Sequence, residues 1–86
     1  EARRVSVDNE EIKLKPKELD LLFYLIENSN RALTREKILD SVWGYDYFGD
    51  PRTVDVHIRR LRQKLKDNNS IETVFGTGYM LRTDKV

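Results

Sequence analysis

The 86-residue chain has no cysteine. That excludes disulfides and thiolate metal sites, and it suits a reducing cytoplasm. It has a single histidine, His57, with no carboxylate cluster near it, which argues against both a zinc site and histidine-dependent catalysis. No apolar run approaches the roughly 18 residues of a membrane span, and no signal-peptide pattern opens the chain. Internal repeats, low-complexity tracts and linkers are absent, as are a nucleophile–base pair and a carboxylate dyad that would mark an enzyme. The chain opens on Glu1 rather than Met, most simply read as one domain, residues 1–86, cut from a longer protein.

Charge is plentiful but nearly balanced, with 16 Lys and Arg against 15 Asp and Glu for a net +1. The distribution is uneven. Residues 52–66 carry Arg52, Arg59, Arg60, Arg62, Lys64 and Lys66 against Asp55 alone. That stretch is therefore +5 and the remainder −4. Binding to a polyanion depends on the local field and not on the total.

The same stretch has helical periodicity. Val54, Ile58, Leu61 and Leu65 recur at steps of 4, 3 and 4, one apolar stripe at about 100° per residue. The opposite side collects Arg52, Thr53, Val56, Arg59, Arg60 and Gln63. Guanidinium forks, an amide, a hydroxyl and one outward methyl pair are the groups that grip phosphates and read base edges in a major groove.

Around this helix, Arg4 to Asp8 and Glu11 to Leu14 alternate polar and apolar residues, with Asp8-Asn9-Glu10 as the turn of a short hairpin. Pro16 stands at a first helical position with Glu18 in the first turn. That helix is expected to run to about Asn28 on a stripe of Leu19, Leu22, Phe23 and Ile26, widened by Leu21 and Leu25. Ala32-Leu33 reads as briefly extended. Thr34 is a suitable cap for a second helix with Ile38, Leu39, Val42 and Trp43 on its apolar face, ending at Gly44. Thr53 is the expected cap of the third helix, which stops at Asp67-Asn68-Asn69-Ser70. Ile71 to Phe75, Gly76-Thr77-Gly78 and Tyr79 to Arg82 form a terminal hairpin. The order predicts an α+β winged helix-turn-helix: short N-terminal β-strands, a three-helix core and a C-terminal β-hairpin wing.

Four segments carry a family resemblance. Arg52-Thr53-Val54-Asp55-Val56-His57-Ile58-Arg59-Arg60-Leu61-Arg62 resembles the recognition helix of OmpR/PhoB-type response-regulator effector domains. Pro16-Lys17-Glu18-Leu19-Asp20-Leu21-Leu22 is similar to their first helix. Arg35-Glu36-Lys37-Ile38-Leu39 with Val42-Trp43-Gly44, and Thr73-Val74-Phe75-Gly76-Thr77-Gly78-Tyr79, resemble their second helix and wing. The resemblance spans nearly the whole chain, and four motifs in order are more specific than any one.

The resemblance implies sequence-specific double-stranded DNA binding and transcription control as the output domain of a two-component (phosphorelay) response regulator in the bacterial cytoplasm. It implies a recognition helix at about 53–66 in the major groove and a wing at about 71–82 on flanking backbone or minor groove. The implied partners are a receiver domain of the same chain, RNA polymerase and a second copy on direct-repeat sites, with the isolated domain monomeric. No cofactor is expected. Family members often have Thr where Lys15 stands. Some carry a basic residue, reaching into the minor groove, where Phe75 stands; Phe75 packs instead on the sugar-phosphate edge or into the core. The family's N-terminal sheet also has more strands than can be read here, which implies a shortened chain.

The expected DNA contacts are Arg52, Thr53, Val56, His57, Arg59, Arg60, Arg62, Gln63, Lys64, Thr73 and Thr77. Arg59 and Arg60 fit guanine or phosphate, and Val56 fits a thymine methyl. Asp55, one turn before Arg59, fits an intrahelical ion pair. Tyr79 is read as core packing. In the loop 44–51, Tyr45, Asp46, Tyr47, Phe48 and Asp50 carry acids and aromatics, suited either to a protein partner such as polymerase or to covering the core. Two rival readings remain: the same domain on a membrane-anchored activator, and a winged helix used for protein–protein contact.

Overall fold

The computed structural model describes residues 5–7, 9–44, 46–47, 49–66 and 70–83. Strands β1 (Val5–Val7) and β2 (Glu10–Ile12) pair antiparallel in the register Val5 to Ile12. Asn9, at φ 67°, occupies the left-handed region that a tight hairpin turn requires. The expected turn of three residues is therefore shorter, because Glu10 already pairs with Val7. Arg4, Asp8 and the Asp67-Asn68-Asn69 stop lie outside the described residues.

Helix α1 covers Pro16–Glu27. Lys15 at its N-cap has no side-chain acceptor, but the Glu18 carboxylate accepts from the Lys15 backbone N–H at 2.9 Å. This is the reciprocal half of a capping box, and it offsets the missing hydroxyl. The buried face of α1 is Glu18, Leu21, Leu22 and Leu25. The expected stripe was displaced by one position: Ile26 is 46% exposed. With seven aliphatic or aromatic residues in the eight positions 19–26, periodicity alone does not choose the inward edge.

Thr34 closes β3 (Leu33–Thr34) and caps the next helix, its hydroxyl accepting from the Lys37 N–H at 3.0 Å. Helix α2 is α-helical over Arg35–Ile38 and continues as a π-helical turn, Leu39–Trp43, up to Gly44 at φ 106°. The wider turn is not visible in the residue pattern. Helix α3 covers Arg52–Leu65 and ends on Lys66 in the left-handed conformation. Thr53 does not cap it. The helix begins at Arg52, two residues before the start a Thr53 cap would give, and the Asp50 carboxylate accepts from the Arg52 N–H at 2.9 Å, so Asp50 supplies the acceptor expected of Thr53.

Strands β4 (Ile71–Val74) and β5 (Gly78–Leu81) form the wing. Strand β3 pairs with β5, giving a three-stranded antiparallel sheet in the order β3-β5-β4. Gly76, at φ 80°, stands third in the turn closed by the Thr77 N–H to the Val74 carbonyl at 2.9 Å, where a positive φ favours glycine. A Cβ at Gly78 would collide with the Leu33 carbonyl, so glycine lets β3 approach β5 there.

The core joins Leu21, Leu22 and Leu25 of α1 to Ile38 and Leu39 of α2, Val54, Ile58 and Leu61 of α3, and Leu33, Ile71, Tyr79 and Leu81 of the sheet. The stripe predicted for α3 is thus its inward face, with Val54, Ile58 and Leu61 all at 1% exposure or less. Each such side chain contributes about 1.5–3 kcal/mol relative to exposure. That fixes the rotation of α3 and, with it, which residues point out.

Candidate nucleic-acid interface

With its apolar stripe inward, α3 presents Arg52, Val56, Arg59, Arg60 and Gln63 as exposed residues. Val56 is 39% exposed, so an apolar side chain stands among guanidinium groups. Arg52 is drawn toward the preceding loop: its Nε and Nη2 donate to Asp50 Oδ2 at 2.9 and 2.7 Å. Those hydrogen bonds hold the Asp50 carboxyl below its usual range and raise the Arg52 guanidinium. Both side chains remain largely open to solvent, and such a pair is readily exchanged for another anion.

The two flanks of α3 are tied to neighbouring elements. On one flank Arg62 donates to the Ile71 carbonyl at 2.6 Å from Nη2 and at 3.1 Å from Nε, and to Thr73 Oγ1 at 2.9 Å. Asp55 lies on the same flank. It does not pair with Arg59 as expected; its partners are Arg35 Nη1 at 2.8 Å and Tyr79 Oη at 2.6 Å. Burial, and then the hydrogen bond to Asp55, push the Tyr79 phenol up to about 12. Tyr79 is in the core, as read, but its hydroxyl also does polar work.

On the other flank, Lys64 is held by Glu18 at 2.7 Å. Burial would raise the Glu18 carboxyl, but hydrogen bonds from Lys64 and the Lys15 N–H outweigh it and keep the group below its ordinary value. Lys64 therefore stands as a partner of α1 and not as a free cation beside Gln63. His57 Nδ1 lies 2.8 Å from the Thr53 carbonyl, and its ring meets the Trp43 ring edge-on at 5.0 Å. Thr53 and His57 are half-buried on this side.

The wing brings Thr73 and Thr77 to the surface, with Phe75 between them at the tip. Phe75 is 93% exposed, which removes the core from its two expected placements and leaves the sugar-phosphate edge. In the loop before α3, Asp46 and Tyr47 are exposed and Asp50 is engaged by Arg52. Tyr47 approaches Trp43, ring centres 6.4 Å apart. Tyr45 and Phe48 lie outside the described residues. Among the described residues no group of three or more His, Cys, Asp or Glu is arranged to hold a metal, and no helix is long and apolar enough to cross a membrane.

Arg35 and Glu18 were not singled out from the sequence as neighbours of this surface. Their partners lie 20 and 46 positions away, and no local spacing signals such pairs.

Residues 9–81 match the family described as transcriptional regulatory protein, C terminal. The chain is 48% identical over 85 residues to the transcriptional regulatory protein YclJ of Bacillus subtilis, covering 95% of this chain and 37% of that protein. It thus spans little more than a third of that relative. Among solved structures, the DNA-binding domain of Bacillus subtilis CssR superposes with a TM-score of 0.84 at 44% identity, covering 92% of this chain and 90% of that one. The Klebsiella pneumoniae RstA DNA-binding domain, solved in complex with the RstA box, gives 0.84 at 34% identity over 93% and 83% of the two chains. With three helices, an antiparallel wing and matches of this extent, the chain belongs to the C-terminal domain family of transcriptional regulatory proteins, of the OmpR/PhoB type.

Proposed function

We propose that this chain is the DNA-binding output domain of a two-component response regulator and that α3 enters the major groove of double-stranded DNA. It acts by binding and carries out no catalysis. The single observation behind the groove reading is the sidedness of α3: Val54, Ile58 and Leu61 are buried while Arg52, Val56, Arg59, Arg60 and Gln63 stand exposed. Arg59 and Arg60 contact bases or phosphates, Val56 meets a thymine methyl, and Arg52 and Gln63 extend the footprint. Thr73 and Thr77 place the wing on the flanking backbone or minor groove. Thr53, His57, Arg62 and Lys64 border the footprint, and two of them, Arg62 and Lys64, hold neighbouring elements.

In the whole protein this domain follows a receiver domain, binds direct repeats as a tandem pair and works in the bacterial cytoplasm. The loop 44–51 offers Asp46, Tyr47 and, where its exposed pair with Arg52 exchanges, Asp50 to RNA polymerase. Selection of bound duplexes from a random library tests the main reading. A defined motif is expected, with affinity falling by a slope of about −0.9 per neutralised phosphate on a log–log salt plot. Recovery of unenriched sequences would remove the base-reading claim, and absence of binding at low salt would remove the function.

A further inference from the structure

Asp55 is the only acid in α3, and it lies in the first turn beside residues proposed to meet phosphates. An uncancelled carboxylate at that place repels the DNA backbone. Both of its oxygens are occupied. Oδ2 receives Arg35 Nη1 from α2 at 2.8 Å, and Oδ1 receives Tyr79 Oη from β5 at 2.6 Å. One carboxylate therefore joins three elements that are distant in sequence: the first turn of α2, the recognition helix and the inner strand of the wing.

The surroundings make the compensation necessary. A groove of about 380 Å³ between α2 and the wing is lined by Arg35, Glu36, Asp55 and Tyr79 together with the wing turn. Its charged lining is one guanidinium against two carboxylates, so no surplus of positive charge remains there to grip phosphate. Arg35 and Asp55 side chains are 41% and 37% exposed, and an ion pair that open contributes little to folding. Its consequence falls on what approaches from outside.

We propose that Arg35 and Tyr79 are positioning residues for DNA reading, acting through Asp55: Arg35 cancels the one negative charge of the recognition helix, and the Tyr79 hydroxyl holds that carboxylate turned toward Arg35. This rests on the proposal that α3 enters the groove. The competing account of Arg35 is a direct phosphate contact, and the two predict different behaviour when Asp55 is neutralised.

Affinity for the selected duplex is measured by fluorescence anisotropy across a salt series, with circular-dichroism melts confirming that each variant is folded. Arg35→Gln is expected to weaken binding about tenfold, through the exposed carboxylate. Asp55→Asn alone stays within about threefold of the parent, and the double variant returns to within about threefold of Asp55→Asn, because a cancelled charge needs no partner. Arg35→Lys, which keeps the charge and the fold, stays near the parent. Tyr79→Phe weakens binding about threefold with an unchanged salt slope, since no phosphate contact is lost. A double variant as weak as Arg35→Gln, with the slope reduced by about 0.9, makes Arg35 a phosphate ligand and overturns the proposal. Undiminished binding by Tyr79→Phe removes Tyr79 from it. Arg60→Ala serves as the control: if it leaves binding untouched, the groove reading itself has failed, whatever the Asp55 variants do.

Discussion

The Arg62 guanidinium of α3 grips the Ile71 carbonyl at the start of the wing, with Nη2 at 2.6 Å and Nε at 3.1 Å. The same Nη2 reaches Thr73 Oγ1, and the guanidinium lies 5.7 Å from the Tyr79 ring centre. A backbone carbonyl that begins a strand is thus held by the side of the recognition helix. The fork ties the start of the wing to the recognition helix.

Arg62→Met keeps much of the stem packing and removes the fork. A hydrogen bond from a charged donor contributes about 1.5–3 kcal/mol, discounted here because Arg62 is only half-buried. The expected loss is about 1–2 kcal/mol, a fall in Tm of roughly 4–15 °C for a domain of this size. Amide hydrogen exchange should accelerate in Ile71–Val74 before the rest of the sheet. Unchanged exchange there would show that the β4–β5 pairing alone holds the wing.

Arg60 stands on the exposed face with no acid at helical spacing. Arg60→Ala is expected to cost about 1–3 kcal/mol of binding and to relax specificity at one base position. Competition with single-base variants of the site measures this. Equal losses on cognate and scrambled duplexes would reassign Arg60 to a phosphate.

Phe75 contributes almost nothing to the core, since it is 93% exposed. Phe75→Ala should change stability by no more than about 0.5 kcal/mol. Residues 73–81 carry no ionisable side chain except the Tyr79 phenol. A wing-tip contact of Phe75 with DNA is therefore uncharged, and its removal should weaken binding while leaving the salt slope as it was. Trimming the duplex to remove the flanking minor groove should cost the parent affinity and cost Phe75→Ala nothing further. If both proteins lose equally, Phe75 makes no flanking contact.

The Glu18–Lys64 pair sets an acid limit on stability. Glu18 is 1% exposed and its folded-state value lies below the ordinary 4.5. A depressed carboxyl contributes stability that is fully present above its unfolded value and is lost as pH falls through its folded value. Denaturant midpoints should therefore decline as pH drops from about 5 toward 3, the range set by the carboxylate's unfolded value. Glu18→Gln should be less stable at neutral pH by about 1–3 kcal/mol, because Lys64 loses its counter-charge. It should also show a flatter acid limb. An equally steep decline in that variant would assign the acid limit to other carboxylates.

Much of the architecture was legible in the residues. The 4, 3, 4 spacing of Val54, Ile58, Leu61 and Leu65 fixed the inward face of α3, because burying the first three, with Leu65 packed against the core, outweighs any surface preference. Thr34 and Gly44 marked the ends of the second helix, and Gly76 and Gly78 the wing. Local physics sufficed in each case. It did not suffice for α1, where apolar residues on two adjacent faces left the rotation open and packing chose Leu21 and Leu25 over Ile26. Nor did it predict the π-helical turn at Leu39–Trp43, since no residue type there demands one.

The sequence by itself determined the order of elements, the apolar seam of the recognition helix and the concentration of positive charge along it, because these depend on spacing within a few turns. Only the tertiary structure decided which of those charges are available. Arg62 and Lys64 are consumed by the wing and by α1, Asp55 is claimed from two sides, and Arg59 and Arg60 remain on the exposed face. The reason is that a charged side chain's partner is chosen by proximity in space, and the partners here lie 9 to 46 positions away along the chain.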